Sequence, residues 1–415
     1  GRVDRENAEA AICSLEKAVL DSIEIVSDNM LEEAPLLVAE NQVSLYDVDV
    51  KALSSPALYV KGNTHIYGGS FYTQADFFPA IYAKGGNDEP TQSDSELTIT
   101  SGRNPTKIMT TGSQSDGIHI SHMDLHIDAN NSRDLPGTIQ ALGYESRGIN
   151  LENANLQLNG DWRISTKNAA ALRVKNGEKV STKGRIYIHQ NTSPAADAAM
   201  VVQSDSFNMD GLTQIFASQQ AMFIEATDSK VHLHDQSIIW GKGDLITTYG
   251  RSVWQAVPPA YVEVNTQEGV LFRSNGELRT QGLTLYLEDQ ATAYDLGDST
   301  KLEARGNNYK IGKNSDQVQA LQFHNYEGSA LLEGEKFFVE DGAQAWSVLS
   351  IKDSKQITLG QHEVILASDT HKGTYYQLSG GLEQVKVKMQ PEMEISKASH
   401  RITWLETDYQ DLATE

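Results

Sequence analysis

Short apolar segments return every twenty-odd residues along the whole chain. In the clearest copies, apolar and polar positions alternate over residues 57–60, 64–67 and 70–72, and again over 221–224 and 231–234. Alternation with a period of two, bounded by Gly, Asp and Asn, predicts strands with one buried face. The first apolar residues of successive copies, here called anchors, are about 26 residues apart. They are Ile12, Leu37, Leu58, Ile81, Ile118, Ile149, Leu172, Met200, Met222, Leu245, Leu271, Tyr294, Leu321, Trp346 and Tyr375.

Each copy holds three short strands joined by corners such as Asn159-Gly160-Asp161 and Arg305-Gly306-Asn307. Gly and Asn adopt positive φ at low cost, as such corners require. The pattern predicts an all-β protein, a right-handed three-faced parallel β-helix of roughly 14 coils. A propeller needs four strands per 40–50 residues, and a leucine-rich horseshoe needs helical stretches that the pattern lacks.

One β-helical domain is expected over residues 1–415, because stacked coils share a core and no coil is stable alone. Two intervals between anchors are long, and they predict polar loop excursions around residues 84–116 and 128–147.

The chain is acidic, with Lys+Arg 34, Asp+Glu 56 and a net charge of −22. This charge argues against nucleic acid and against anionic membrane surfaces as partners. Cys13 is the single cysteine, which excludes an internal disulfide framework. No run of 18 apolar residues is present, so no membrane-spanning helix is expected. The polar first residues do not form a signal peptide.

The repeats resemble those of pertactin-like passenger domains of Gram-negative autotransporters, and Bartonella-type surface autotransporters are similar. The resemblance rests on residues 171–177 followed by 183–188, and on the pattern Leu382-x-x-Val385-x-Val387-x-Met389. It implies display at the bacterial cell surface or release outside the cell, after export through the periplasm and outer membrane. It also implies a C-terminal outer-membrane β-barrel in the full-length protein, which this sequence does not include.

Departures from the coil are the expected binding sites, because loops on a rigid scaffold carry function. The first excursion offers Asn87, Asp88, Glu89 and Arg103, and the second offers Asn130, Asn131 and Arg133. A third candidate loop, residues 249–261, contains Arg251, Trp254 and Tyr261, residue types typical of binding hot spots.

A histidine-rich stretch presents His122, Asp124, His126 and Asp128 on one strand face, with Met123, Leu125 and Ile127 towards the core. His119 precedes this row. We interpret it as a solvated face, since metal sites need ligands that converge from several directions. No Gly-rich phosphate loop or Cys/His metal spacing is present, so neither a cofactor nor a metal is expected.

Catalytic signatures of β-helix enzymes are missing from the sequence. There is no adjacent Asp-Asp pair, and Gly297-Asp298-Ser299-Thr300 lacks the closing Gly of a protease motif. We therefore expect no enzyme but an adhesin or host-cell-binding virulence factor, which binds through loops and one face of the β-helix. Its expected partners are a protein or glycan on a host cell, erythrocytes included, and host antibodies that recognise it as a surface antigen. A polysaccharide-acting lyase or hydrolase and a purely structural stalk are the alternatives.

Overall fold

The computed structural model describes residues 2–5, 12–27, 34–85, 95–100, 103–129, 135–192, 194–195, 197–258, 261–266, 268–313, 316–367, 373–382, 384–389, 393–396, 401–404 and 408–411. Every regular element among them is a β-strand. In this part of the chain there is accordingly no helix of the length and apolarity needed to cross a bilayer. Parallel strands stack as a β-solenoid of about 13 turns, which confirms the predicted fold class. The chain divides into two compact units, Gly1–Ser218 and Gln219–Glu415.

The first unit contains strands β1 to β18. Their bounds are β1 (Arg2–Arg5), β2 (Ile12–Glu16), β3 (Val19–Asp21), β4 (Glu24–Ser27), β5 (Leu37–Asn41), β6 (Val43–Ala52), β7 (Leu58–Val60), β8 (Thr64–Thr73), β9 (Ile81–Lys84), β10 (Glu96–Thr100), β11 (Lys107–Thr110), β12 (Ile118–Ser121), β13 (Asp124–Asp128), β14 (Gly137–Ala141), β15 (Ile149–Glu152), β16 (Leu156–Thr166), β17 (Leu172–Gln190) and β18 (Met200–Phe216).

These strands form three parallel sheets, and each turn contributes one strand to each sheet. The first sheet contains β2, β5, β7, β9, β12 and β15 and the start of β17. Long strands such as β6, β8 and β16 bend around a corner, so their first halves belong to the second sheet and their second halves to the third. Strands β3, β10 and β13 also belong to the second sheet, and β1, β4, β11 and β14 to the third. Strands β17 and β18 continue both sheets.

The core of the first unit is a column of inward side chains from successive turns. Its first sheet contributes Leu37, Leu58, Ile81, Ile118 and Ile149, each with 0% exposure. Burial of each such side chain stabilises the fold by ~1.5–3 kcal/mol. The predicted anchors pair directly with one another from Ile12 to Met200 in the first unit, which confirms the predicted repeat there.

The corner between the second and third sheets depends on glycine. Gly160, Gly184 and Gly211 occupy equivalent positions in successive turns, with φ of 86°, 112° and 149°. A Cβ on Gly211 would lie 2.0 Å from the carbonyl oxygen of Gly184. The backbone conformation and the close approach of the next turn therefore both select glycine, as predicted for the corner at Gly160.

The second unit contains strands β19 to β38. Their bounds are β19 (Met222–Leu233), β20 (Ser237–Gly241), β21 (Ile246–Ala256), β22 (Val262–Thr266), β23 (Val270–Gln281), β24 (Thr284–Leu287), β25 (Thr292–Leu296), β26 (Lys301–Arg305), β27 (Asn308–Ile311), β28 (Asp316–His324), β29 (Ser329–Glu333), β30 (Glu335–Val339), β31 (Ala345–Lys352), β32 (Ile357–Leu359), β33 (His362–Leu366), β34 (Gly373–Ser379), β35 (Lys386–Met389), β36 (Met393–Ser396), β37 (Arg401–Trp404) and β38 (Asp408–Asp411).

The second unit has the same parallel stacking but a more aromatic core. Buried rings from successive turns contact one another, with centroid distances of 5.3 Å for Trp254–Phe272, 6.0 Å for Phe272–Tyr294 and 4.6 Å for Tyr309–Phe337. Rings in contact at these distances contribute ~0.5–1.5 kcal/mol per pair beyond the burial of their surface.

Four anchors of the second unit were predicted wrongly. Met222 pairs with Ile246 and not with its neighbour Leu245, and Ile246 pairs with Phe272 and not with Leu271. Both members of each neighbouring pair are fully buried, so hydrophobicity does not distinguish them. Leu321 pairs with Leu349, and Leu349 pairs with Tyr376, so the predicted anchors Trp346 and Tyr375 are both displaced.

The last described strands depart from the parallel pattern. Strand β37 pairs with β33 in the antiparallel sense, β38 pairs likewise with β35, and β36 and β37 are antiparallel to each other. An open edge of a sheet exposes unpaired N–H and C=O groups. The antiparallel strands cover those groups on β33 and β35.

Candidate functional site

Six of the residues predicted to bind lie outside the described residues, and they remain predictions. They are Asn87, Asp88, Glu89, Asn130, Asn131 and Arg133. Arg103 is described and exposed, in the bend that leads into β11. Both excursions are shorter than predicted, because β10, β11 and β14 lie within the predicted ranges and pair with strands of neighbouring turns.

Arg251 lies in a row of alternating charges on the surface of the second unit. Its guanidinium is 3.6 Å from Asp228 and 4.0 Å from Glu277. The row continues with Arg279, 2.7 Å from Glu277, and with Arg305, 2.6 Å from Glu303. Exposed ion pairs contribute little individually, but a network holds these side chains in place. Arg251 is therefore already engaged by its own neighbours.

Trp254 does not lie on a surface loop, so its predicted placement was wrong. It has 0% exposure inside β21, and its indole Nε1 donates to Ser252 Oγ at 2.8 Å. Alternate residues of this strand point inwards, from Ser252 through Trp254 to Ala256. The alternation places the ring in the aromatic core, where no ligand reaches it.

Tyr261 belongs to an exposed cluster of aromatic and charged side chains in the second unit. Its hydroxyl is 2.9 Å from that of Tyr286 and donates to Glu263 Oε2 at 3.0 Å. Lys310 donates to the Tyr286 hydroxyl at 2.6 Å, and its ammonium is 5.6 Å from the centre of the Tyr261 ring. Burial, followed by the bond to Tyr286 and the charge of Glu263, raises the pKa of Tyr261 above its ordinary value.

From Asp124 to Asp128 the histidine row has the predicted orientation, but His122 was placed wrongly, because it lies in the corner before β13 with a φ of 56°. Met123, Leu125 and Ile127 are buried, whereas Asp124 and His126 are only partly covered. His126 Nδ1 is 3.7 Å from Glu96 Oε1, and Asp124 accepts from the backbone N–H of Asn155 at 3.0 Å. Among the described side chains, no group of three His, Cys, Asp or Glu residues is close enough to share a metal ion.

An open groove crosses the outward surface of the third sheet of the first unit. Its volume is about 690 Å³, and we call it the face groove. Outward side chains of β4, β6, β8, β11 and β14 line it, namely Glu24, Asp49, Lys51, Ser70, Tyr72, Lys107, Met109, Thr138 and Gln140.

The alternation of each strand positions these side chains. Phe71 and Ile108 point into the core, so the neighbouring Tyr72 and Met109 point outwards and pair across adjacent turns. Lys51 Nζ is 5.9 Å from the centre of the Tyr72 ring. The Tyr72 hydroxyl is 3.3 Å from Thr111 Oγ1. The face groove is therefore a surface of fixed, regularly spaced side chains.

The turns that follow these strands carry exposed apolar side chains. Phe77 is 69% exposed, Tyr144 52% and Leu142 40%. Backbone hydrogen bonds join these turns across successive coils, from Phe77 N–H to Ser113 O and from Gln114 N–H to Tyr144 O. Exposed apolar groups beside a groove are typical of a binding surface.

None of the residues that form the face groove was among those predicted to bind. The sequence carries a signal that could have found them. Once the copies are aligned by their inward residues Val50, Phe71, Ile108 and Ile139, the residue after each one faces outwards on the same sheet. Such a comparison must be made between equivalent positions of successive coils and not between neighbouring residues of the chain.

No protein-family model matches this chain, nor does any curated protein or solved structure.

Proposed function

We propose that this chain is an autotransporter passenger, displayed at a bacterial surface, that binds the surface of a host or neighbouring cell through the face groove. The parallel β-solenoid is compatible with such a passenger. The observation that carries the proposal is the face groove itself, an open concave surface whose side chains are not needed by the core. Ligand sites are concave and combine apolar walls with a few polar groups, and this groove has both.

The proposal is tested by binding of the labelled, purified chain to cultured cells and to erythrocytes, measured by flow cytometry. A groove variant, Tyr72→Ala with Met109→Ala, removes two outward side chains of the third sheet. A control, Thr98→Ala with His126→Ala, removes two outward side chains of the second sheet. Loss of about 1.4 kcal/mol of contact predicts about tenfold weaker binding for the groove variant only. An absence of saturable binding, or equal binding by both variants, would contradict the proposal.

Surface display has its own test. An antiserum against this chain is expected to stain intact bacteria that express the full-length gene. Staining only after the cells are permeabilised would contradict display.

A polysaccharide hydrolase is the second candidate, and one observation favours it. Glu24 and Asp49 lie on adjacent strands at one end of the face groove and pair directly across them. Glycoside hydrolases use two carboxyl groups that flank the bond to be cleaved. Incubation with acidic polysaccharides and Ca²⁺ tests this candidate. Release of reducing ends that is lost in Asp49→Asn would support it, and unchanged polymer would exclude it for those substrates.

A further inference from the structure

The face groove lies on a sheet whose surface differs in charge from the rest of the chain. From β11 to β18, the two central rows of outward positions on the third sheet hold no carboxylate, although the chain contains 56 Asp and Glu residues. The rows are Lys107, Thr138, Arg163, Tyr187 and Gln214, and Met109, Gln140, Ser165, His189 and Phe216. In an acidic protein, a strip of surface without carboxylates repels an anionic ligand less than the surrounding surface does.

Three exposed cations lie on this sheet, and they have no carboxylate partner among the residues that the structure describes. They are Lys51, Lys107 and Arg163. Three other arginines of the first unit are paired, namely Arg147 with Asp197 at 3.4 Å, Arg173 with Glu152 at 3.7 Å and Arg185 with Asp161 at 3.3 Å. Lys51 and Arg163 lie near aromatic rings, and the Arg163 guanidinium is 5.6 Å from the centre of the Tyr187 ring. Their charge is therefore available to a ligand.

The spacing of the cations favours a linear polysaccharide over a nucleic acid. Lys51 lies on β6, Lys107 on β11 and Arg163 on β16, which are alternate turns of the solenoid. Adjacent strands are ~4.8 Å apart, so the three charges follow one another at intervals of roughly 10 Å along the stacking direction. A polysaccharide with one acidic group per disaccharide repeats its charge at a comparable interval. Duplex DNA carries one charge per ~1.7 Å of axis and would meet the acidic surface around the strip.

Polar groups between the cations suit a sugar chain. The hydroxyls of Tyr72 and Thr138 and the amide of Gln140 line the face groove between Lys51 and Arg163, where they can bond sugar hydroxyls. Glu24 and Asp49 lie at the same end of the groove as Lys51, on β4 and β6, and they repel an anion that extends past Lys51. An acidic chain is therefore expected to run from Lys51 towards Arg163.

We propose that the face groove, extended by Arg163 on the adjacent strand β16, binds a linear acidic polysaccharide, whose carboxylate or sulfate groups meet Lys51, Lys107 and Arg163. This inference rests on the proposed function, because it names the ligand class of the same groove.

The test measures binding of the purified chain to immobilised hyaluronan, which carries one carboxylate per disaccharide, with neutral dextran as the reference. A second variant, here called the cation variant, combines Lys51→Gln, Lys107→Gln and Arg163→Gln. The matched control combines Lys175→Gln, Lys179→Gln and Lys183→Gln, which make the same change of charge in the same unit away from the third sheet. We expect polysaccharide binding that weakens as the salt concentration rises. The affinity should fall about tenfold or more in the cation variant and less than about twofold in the control.

Several outcomes would overturn the inference. They are equal binding to neutral dextran, equal loss in the two variants, and displacement of the polysaccharide by single-stranded DNA at the same mass concentration. Cell binding separates the two proposals. Cells that bind the chain equally well after enzymatic removal of their acidic polysaccharides would overturn this inference and leave the proposed function standing. Polysaccharide binding without saturable cell binding would support this inference and count against adhesion to those cells.

Discussion

The buried carboxyl group of Glu335 gives the sharpest prediction about stability. Glu335 has 0% exposure in β30, and its Oε1 accepts from the Asn307 backbone N–H at 3.5 Å. Its Oε2 has no hydrogen-bond partner among the described residues. Burial raises the pKa of Glu335 to about 7 from 4.5, against the opposing effect of bonds from Tyr309 and Asn307.

The sign of the effect follows from the two pKa values. Below pH 4.5 the group is protonated in both states and does not affect stability. Between pH 4.5 and 7 the unfolded chain ionises first, so the free energy of unfolding falls as the pH rises. A difference of this size at ~1.4 kcal/mol per unit amounts to about 3 kcal/mol above pH 7.

Glu335→Gln removes the ionisation and keeps the shape of the side chain. We expect the variant to be about 3 kcal/mol more stable than the wild type at pH 8 and within about 1 kcal/mol of it at pH 4.5. The assay is urea unfolding followed by tryptophan fluorescence at both pH values. The control is Glu327→Gln, because the Glu327 side chain is 67% exposed. If wild type and Glu335→Gln show the same pH dependence within about 0.5 kcal/mol, the reasoning about this buried group is wrong.

Three further predictions concern the second unit. Gly276→Ala should lower the free energy of unfolding by well over 1 kcal/mol, because its Cβ would lie 2.1 Å from the Gly250 carbonyl oxygen. Gly306→Ala should lower it by only about 1 kcal/mol, because no atom lies within 4 Å of the added Cβ. Thermal melting of the two variants measures the difference. Trp254→Ala should cost ~3–5 kcal/mol in the same assay, and an effect under 1 kcal/mol would contradict its core position. Arg251→Gln should change stability by less than ~1 kcal/mol, with a smaller effect in high salt, since its ion pairs are exposed.

The sequence predicted the fold well where its pattern is strict. In the first unit the anchors Ile81, Ile118 and Leu172 are each followed by a less buried residue with a polar group, and these anchors pair as predicted. In the second unit the strand Ala345–Lys352 is buried at almost every position, so its sequence has no alternation. Register there depends on which buried residue meets its neighbour, and this is decided by packing.

The candidate site was harder to predict, because it is made by stacking. Lys51, Tyr72 and Lys107 are separated along the chain and become neighbours only when successive turns pair in register. The sequence instead drew attention to Trp254, since aromatic and charged residues clustered near prolines are typical of surface loops. Its alternation with Ser252 and Ala256, which the structure shows to be inward, was the stronger signal.

The central claim is that successive turns of the first unit stack in parallel with fixed register. It is tested most directly by distances between spin labels on one outward row, in a Cys13→Ser background. Ser44, Gln157 and Asn208 occupy the same row, with Gln157 four turns and Asn208 six turns from Ser44. At ~4.8 Å per turn, the Ser44–Gln157 distance should be about 19 Å and the Ser44–Asn208 distance about 29 Å. Distances that do not increase by about 10 Å between the two pairs would contradict the stacking on which the account depends.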